Sequence, residues 1–260
     1  DYVKTSSSIS SLDITGDITV ESWIKIDQLP SDWTRIVGKG DNYYRTYGLW
    51  LGSDGKLLWQ TYGTTLNLRS VETLVLGRWY HIAATRNGNT AKIFINGVES
   101  GSTSFTGTPR SSTQPLSIGF DNNNIHDYFS GSIDEVRIWN IARSSSQILS
   151  AMNDVLSPQI GLVAIYSFDH TSGVQLSDSS SNNFNVTLYG FALNGTTSNW
   201  VQRQATINNG LWSSSDTSVA SVNSNGLVSA ISSGTVTISF TVSGTSSCAG
   251  LTATATRTFN

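Results

Sequence analysis

The strongest constraint on the fold is a short-period alternation of apolar and polar residues. Residues 18–26 alternate with period two, so one face of an extended strand is apolar. That face consists of Ile18, Val20, Ile24 and Ile26. Similar short runs recur at intervals along the chain, which favours strands that bury one face against a second sheet.

Turn chemistry divides these runs into hairpins. Glycine accepts the positive φ that tight hairpin turns require, and three such turns follow strand-like segments. They are Ser53-Asp-Gly55, Asn87-Gly88 and Asn96-Gly97. One short helix is predicted near residues 144–152, because Ser144 and Gln147 have the spacing of a capping box. Many short strands with turns between them predict an all-β sandwich.

Composition supports the same class and excludes others. Only 13% of the 260 residues are charged, whereas helix surfaces usually carry many Glu, Lys and Arg. A formal net charge of -3 without a basic run argues against nucleic acid as a partner. No apolar stretch reaches about 18 residues, so we predict no membrane insertion. The length suits one large domain and one small one.

The ends of the chain and its single cysteine concern its context. The sequence begins at Asp1 and ends at Asn260 within a strand-like alternation, so we expect a fragment of a longer secreted protein with adjoining domains. Cys248 is the only cysteine. It is either a buried small apolar residue or a residue whose disulfide partner lies outside this sequence.

Residues 1–190 resemble the laminin G-like, concanavalin A-like lectin family of jelly rolls. The resemblance rests on five segments that occur in the family's order and spacing: residues 18–24, 77–83, 93–98, 129–140 and 161–169. It implies a jelly-roll sandwich. Inside these patterns Trp23, Trp79 and Trp139 are expected in the core, as is Trp212 further on, whereas Trp33, Trp50 and Trp59 are either core or ligand-facing residues.

Residues 191–260 resemble the bacterial immunoglobulin-like domain of group 2, through residues 212–222 and 225–230. This resemblance implies a small immunoglobulin-like β-sandwich and an extracellular location at the bacterial cell surface. Such modules look like the spacers of adhesins and exported enzymes. The domain boundary is therefore predicted at residues 190/191.

The resemblance also implies a structural Ca²⁺. In relatives the aspartate that matches Asp134 helps to bind the ion, and the loop that begins at Asp178 is rich in oxygen donors, including Asn183. Ser181 stands where the family's loop usually has glycine, which puts the loop geometry in doubt. The alternative is that Asp134 and Asp178 cap turns or pair with Arg137.

A glycan surface is the second candidate site. Sugars pack their C–H faces on aromatic rings and bond to planar polar side chains. The residues predicted to form this surface are Trp33, Tyr43, Tyr44, Trp50, Asn122, Asn123, His126 and Asp127. His81 lies within a strand pattern and is expected to be structural, whereas a loop position such as that of His126 is where function concentrates.

A catalytic role is not predicted. Jelly-roll glucanases need two glutamates on one strand face in a Glu-x-Asp-x-x-Glu run, and residues 132–137 lack both glutamates. The preferred interpretation is a non-catalytic, extracellular binding or adhesion module, monomeric as a fragment, with a glycan or other cell-surface ligand and a structural Ca²⁺. The alternatives are a purely structural stalk spacer and the accessory domains of a secreted polysaccharide-degrading enzyme. Fold alone does not decide among them.

Overall fold

The computed structural model describes residues 1–41, 43–122, 128–169, 173–192, 211–222, 228–243 and 252–259. The chain divides into two compact units, Asp1–Val201 and Gln202–Asn260. Residues 193–210 lie outside the described ranges, so the boundary at residues 190/191 stays a prediction.

The first unit contains fourteen described strands, a 3-10 turn at Ser10–Leu12 and one helix, α1 (Ser145–Ala151). The strands are β1 (Tyr2–Lys4), β2 (Ile18–Ile26), β3 (Trp33–Gly40), β4 (Arg45–Gly52), β5 (Leu57–Gln60), β6 (Asn67–Arg69), β7 (Trp79–Asn87), β8 (Thr90–Ile95), β9 (Val98–Ser104), β10 (Leu116–Ile118), β11 (Gly131–Trp139), β12 (Leu162–Tyr166), β13 (Gln175–Leu176) and β14 (Val186–Tyr189).

These strands form two antiparallel sheets, which confirms the predicted all-β jelly-roll sandwich. The eight-stranded sheet, here the front sheet, has the order β13-β14-β1-β10-β3-β4-β5-β6. The six-stranded sheet, the back sheet, has the order β12-β11-β2-β7-β8-β9. Neighbours in each order are often distant in sequence, so each sheet is assembled by long-range pairing.

One apolar core lies between the sheets. It contains the predicted face of β2, whose residues Ile18, Val20, Ile24 and Ile26 are fully buried. Trp59 also belongs to this core, which resolves it as a packing residue. Burial of such side chains is the main source of sandwich stability, at about 25 cal/mol per Å² of apolar surface removed from water.

The predicted turns are confirmed as connections between adjacent strands. Gly55 lies between β4 and β5, Gly88 between β7 and β8, and Gly97 between β8 and β9. Their φ angles of 73°, 53° and 77° fall in the left-handed region that glycine adopts without steric cost. Local turn chemistry therefore determines these three hairpins.

Helix α1 lies against the outward face of the back sheet. The capping box is present: the Ser144 side chain accepts from the Gln147 amide, and the Gln147 side chain accepts from the Ser144 amide. Ile148 then packs on Ala83 and Phe94. The indole Nε1 of Trp23 donates to the Met152 carbonyl at 2.7 Å, so the segment after the helix is also tied to the sheet.

Beneath this segment lies a buried ionic cluster centred on Glu21. Its Oε1 accepts from Trp139 Nε1 at 2.8 Å and Arg143 Nη1 at 2.7 Å. Arg137 Nη1 lies 4.0 Å from the same oxygen, and His81 Nε2 lies 3.8 Å from Oε2. Burial raises the pKa of Glu21, while the two arginines act in the opposite direction. His81 is buried within this cluster, as its strand position predicted.

The second unit contains β15 (Leu211–Ser214), β16 (Ala220–Val222), β17 (Val228–Ala230), β18 (Val236–Ser243) and β19 (Thr252–Phe259). They form a three-stranded and a two-stranded sheet. A small core of Ala220, Val236 and Ile238 has Trp212 packed against it. Cys248 lies outside the described residues.

Candidate functional site

The outward face of the front sheet carries a pair of neighbouring glycines. Gly38 and Gly48 are direct partners in β3 and β4, and residues beside them, Val37 and Leu49, belong to the core. Because successive side chains in a strand point to opposite faces, Gly38 and Gly48 face away from the core. The absence of two side chains leaves room for larger neighbours to lie across the sheet.

Arg35 and Trp50 occupy that room. A Cβ at Gly38 would lie 2.9 Å from Arg35 Cδ, and a Cβ at Gly48 would lie 2.6 Å from Trp50 Nε1. The Arg35 guanidinium carbon is 4.5 Å from the centre of the Trp50 ring, and that of Arg45 is 5.7 Å away. The indole is therefore held against the sheet between two cations.

The Arg35 charge is buried and paired. Its Nη1 donates to the Gly40 carbonyl at 2.5 Å, and its Nη2 lies 3.2 Å from Asp121 Oδ1. Burial lowers the pKa of Arg35 to about 10, against the opposing effect of Asp121. The guanidinium thus keeps its charge at neutral pH and fixes the loop after β10 to the β3–β4 connection.

Two tyrosines project from that connection. Asp41 is buried, and its Oδ1 accepts hydrogen bonds from the amides of Tyr43 at 2.8 Å and Tyr44 at 2.6 Å. The two residues nevertheless remain 67% and 58% exposed. Tyr44 makes an edge contact with Tyr62 at 5.2 Å. A single carboxylate therefore orders a backbone turn that presents aromatic rings to solvent.

Polar groups adjoin these rings. Arg45 Nη2 donates to Gln60 Oε1 at 2.6 Å, and Arg110 lies 5.4 Å from the centre of Tyr62. Asn122 Nδ2 donates to the Gly40 and Pro115 carbonyls at 2.9 and 3.1 Å, so this side chain is used to position the loop. We call the surface formed by Tyr43, Tyr44, Tyr62, Arg45 and Arg110 the tyrosine rim.

The predicted glycan residues are thus only partly brought together. Tyr43, Tyr44, Trp50 and Asn122 lie around the tyrosine rim, although Trp50 is only 6% exposed. Trp33 lies farther along the sheet, where it pairs with Gly52 and is covered by Arg69 at 5.1 Å. Asn123, His126 and Asp127 lie outside the described residues, so their roles stay predictions.

A second aromatic cluster was not predicted. Tyr2 and Tyr189 are direct cross-strand partners in β1 and β14, and their rings stack at 4.9 Å with an interplanar angle of 10°. Tyr128 stacks on Tyr2 at 6.0 Å, and Phe120 lies beneath both. The residues of this aromatic cluster come from distant parts of the chain, so the cluster becomes visible only when the pairing of the strands is known.

The predicted calcium residues have well-defined contacts. Asp178 is buried, and its carboxylate accepts four hydrogen bonds, from Ile165 N, Ser180 N, Ser180 Oγ and Phe184 N, at 2.7 to 2.9 Å. Four bonds fill the lone-pair positions of a carboxylate, so Asp178 in this arrangement does not fit a calcium ligand. The residue orders its own loop and joins it to β12.

Asn183 and Asp134 complete that prediction. Asn183 is exposed, with a φ of 58°, and Asp134 in β11 accepts a hydrogen bond from the Glu135 amide at 2.9 Å. Within the described ranges no group of three or more His, Cys, Asp or Glu side chains could hold a metal ion. Calcium ligands also include amide and carbonyl oxygens. The calcium site therefore stays a prediction.

Of the four tryptophans expected in the core, two are almost fully buried, but they lie on the outward face of the back sheet under the α1 segment and not in the core between the sheets. Trp23 and Trp139 are 7% and 2% exposed. Trp79 and Trp212 are half-buried, because Trp79 is the first residue of β7 and Trp212 lies in the edge strand β15. Among the described residues no helix is long and apolar enough to cross a membrane.

Comparison with known families agrees with this architecture. The model of the concanavalin A-like lectin/glucanases superfamily matches residues 1–149, and the chain belongs to that superfamily. The model of the bacterial Ig-like domain, group 2, matches residues 191–252. Both resemblances inferred from the sequence are confirmed. No curated protein sequence matches the chain.

Several solved structures are similar to the chain at low sequence identity. A protein described as carbohydrate-binding from Bacteroides ovatus matches at 23% identity and a TM-score of 0.60, over 72% of this chain and 55% of that one. Domain 4 of an extracellular arabinanase from Geobacillus stearothermophilus, solved with arabinotriose, matches at 24% identity and 0.44, over 54% of this chain and 68% of that one. A pentraxin from Limulus polyphemus matches at 16% identity and a TM-score of 0.44, over 65% of this chain and 86% of that one. The chain thus spans about half the length of the Bacteroides protein.

Proposed function

We propose that the first unit is a non-catalytic carbohydrate-binding module that contacts its ligand through the tyrosine rim. The observation that carries this proposal is the exposure of Tyr43 and Tyr44, at 67% and 58%, on a turn that the buried Asp41 holds in place. Large exposed aromatic side chains on an ordered surface are typical of binding sites. Ordered rings lose little conformational freedom when a ligand binds.

The chemistry of the rim suits a sugar. A pyranose presents C–H groups that pack on an aromatic face and hydroxyls that bond to polar groups at its edge. Arg45, Arg110 and the phenol groups supply such polar contacts next to the rings. Arg35 and Trp50 lie behind them as rigid support, because both are almost fully buried.

Catalysis would need paired carboxylates of suitable geometry, and three of the four glutamates of the unit form ion pairs with basic side chains. Glu21 lies under the α1 segment, and Glu135 pairs with Arg137 at 3.0 Å. Glu72 and Glu99 are exposed on separate segments, and Glu99 pairs with Lys92 at 2.7 Å. These placements support a binding role over a hydrolytic one.

We also infer an extracellular, bacterial cell-surface protein, in which this monomeric piece adjoins further domains and serves adhesion. The match of residues 191–252 to a bacterial immunoglobulin-like domain supports this context. The same module could serve as an accessory domain of a secreted polysaccharide-degrading enzyme. Its carbohydrate-binding chemistry would be the same in both settings.

The test is a glycan array followed by titration calorimetry with the best-bound oligosaccharide. Replacing Tyr43 and Tyr44 together by alanine should weaken binding at least ten-fold, since central aromatic contacts each contribute more than about 1 kcal/mol to binding. The unfolding midpoint should stay within the small range of surface substitutions. Ile160→Ala, which removes a 95% exposed apolar side chain elsewhere, is the matched control.

Two outcomes would contradict the proposal. An unchanged dissociation constant in the double variant would move the site away from the tyrosine rim. The absence of any saturable glycan signal would favour the structural stalk spacer.

A further inference from the structure

The cluster of Tyr2, Tyr128 and Tyr189 lies on the same outward face of the front sheet as the tyrosine rim. Tyr2 and Tyr189 alternate with Val3 and Leu188, which belong to the core, so both tyrosines point away from it. Tyr2 and Tyr189 are half-buried, and Tyr128 is 39% exposed. The rings are packed on one another and still reach solvent.

The polar groups of this cluster make no hydrogen bonds to the part of the chain that the structure describes. Within the described ranges, the hydroxyls of Tyr2, Tyr128 and Tyr189 make no hydrogen bonds. The rings of Tyr189 and Tyr128 stack on Tyr2 at 4.9 and 6.0 Å, and burial raises the pKa of Tyr2, with Tyr128 and Tyr189 adding to the rise. Three phenol groups are therefore available on one small surface.

Lys4 adds a positive charge to the same surface. Its Nζ lies 5.7 Å from the centre of Tyr2 and 5.1 Å from the centre of Tyr189. No carboxylate in the described part of the chain forms an ion pair with it. The rings hold the ammonium by cation–π attraction, which leaves most of its N–H donors available for hydrogen bonds.

We propose that Tyr2, Lys4, Tyr128 and Tyr189 form a second carbohydrate-contact surface, selective for a pyranose that bears a carboxylate. An ammonium and three hydroxyls without partners suit a carboxylate next to ring hydroxyls, and charge-assisted hydrogen bonds are about twice as strong as neutral ones. Tyr128 supplies the exposed aromatic surface for the sugar ring. This inference rests on the proposed carbohydrate-binding function and adds the ligand's charge.

The arrangement differs from the buried charges elsewhere in the unit. Arg35 pairs with Asp121, and Arg143 pairs with Glu21. Lys39 is buried and donates to the Ser112 and Gln114 carbonyls, with Asp13 3.9 Å away. Among the described residues Lys4 is held by aromatic rings and by no carboxylate, so its ammonium can bond to a ligand without losing an ion pair there.

The test is calorimetry of the full chain with four sugars at low salt. Trigalacturonate is compared with its methyl ester, and 3′-sialyllactose with its methyl ester, so that each acid has a neutral counterpart. The acid should bind about ten-fold tighter than its counterpart, because a hydrogen bond to a charged group contributes more than a neutral one. The two pairs distinguish a uronate from a sialate as the source of the carboxylate.

Variants assign the preference to Lys4. Lys4→Gln should abolish the ten-fold difference, and Lys4→Arg should retain most of it, while both keep the unfolding midpoint of the parent. Equal binding of acid and neutral sugars by the parent chain, or an acid preference that survives in Lys4→Gln, would overturn the inference.

The same experiment separates this inference from the proposed function. The double alanine variant at Tyr43 and Tyr44 removes the contacts of the tyrosine rim and should leave the dependence of acid binding on Lys4 intact. If neutral sugars bind well but the acids gain nothing, the proposed function stands and the second surface fails. If the parent chain binds none of the four sugars, nor any glycan on the array, both fail.

Discussion

The two outward faces of the sandwich use the same kinds of side chain for different ends. On the back sheet, Glu21, Arg143 and Trp139 are buried under the segment that contains α1. On the front sheet, Arg35 and Trp50 are buried as well, but exposed tyrosines stand beside them. Charged and aromatic side chains that are buried and paired with one another stabilise the fold. Charged and aromatic side chains that are exposed next to a rigid support are available to a ligand.

The largest expected effect tests this stabilising role on the back face. Glu21→Ala should destabilise the first unit by about 3 to 5 kcal/mol, because it leaves Arg143 and Arg137 buried without their shared carboxylate. Urea unfolding measures the loss. Binding through the tyrosine rim should be unchanged under conditions where the variant is folded.

The control on the same sheet is Glu99→Ala. Glu99 pairs with Lys92 at 2.7 Å, but both side chains are about two-fifths exposed, at 42% and 41%. An exposed pair contributes at most about 1 kcal/mol. If the two variants lost similar stability, the contrast between covered and open charges would be wrong.

Local features of the sequence predict the sandwich well, and the reason is physical. The alternation in residues 18–26 and the glycine turns after β4, β7 and β8 act over a few residues, so they can be read without knowledge of the fold. The capping box of α1 is equally local. These elements occur where the sequence places them.

The candidate sites depend on contacts between distant residues and could be predicted only in part. Tyr2 and Tyr189 meet because β1 pairs with β14, a register that no local pattern specifies. Trp50 is buried because Gly38 and Gly48 let Arg35 and the indole lie on the sheet. Likewise, the composition of a loop does not tell whether the carboxylate oxygens of Asp178 already accept hydrogen bonds from backbone amides.

An intermediate effect is expected for Gly48→Ala on the front face. The added Cβ would lie 2.6 Å from Trp50 Nε1, so the indole and the Arg45 stacked on it must shift. Overpacking of this kind costs about 1 to 3 kcal/mol. The same shift should weaken glycan binding at the tyrosine rim, which calorimetry and urea unfolding together would detect.

Gly16→Ala provides the comparison, since nothing lies within 4 Å of a Cβ at that position. It should change the free energy of unfolding by no more than about 0.5 kcal/mol. Equal effects of the two substitutions would mean that Trp50 is not held against the sheet, and the front face would lose its rigid support.

The smallest expected effect concerns calcium, which would add metal coordination to the ion pairs and hydrogen bonds that stabilise the sandwich. Asp178 already accepts four hydrogen bonds from protein groups, which tie its loop to Ile165 in β12. We therefore expect the same thermal unfolding midpoint in excess Ca²⁺ and in excess chelator. A ligand bound only to the folded state at a hundred times its dissociation constant would add about 2.7 kcal/mol, so the comparison is sensitive. A rise in the midpoint that disappears in Asp134→Ala would establish the calcium site at β11 and show that the Asp134 carboxylate binds the metal.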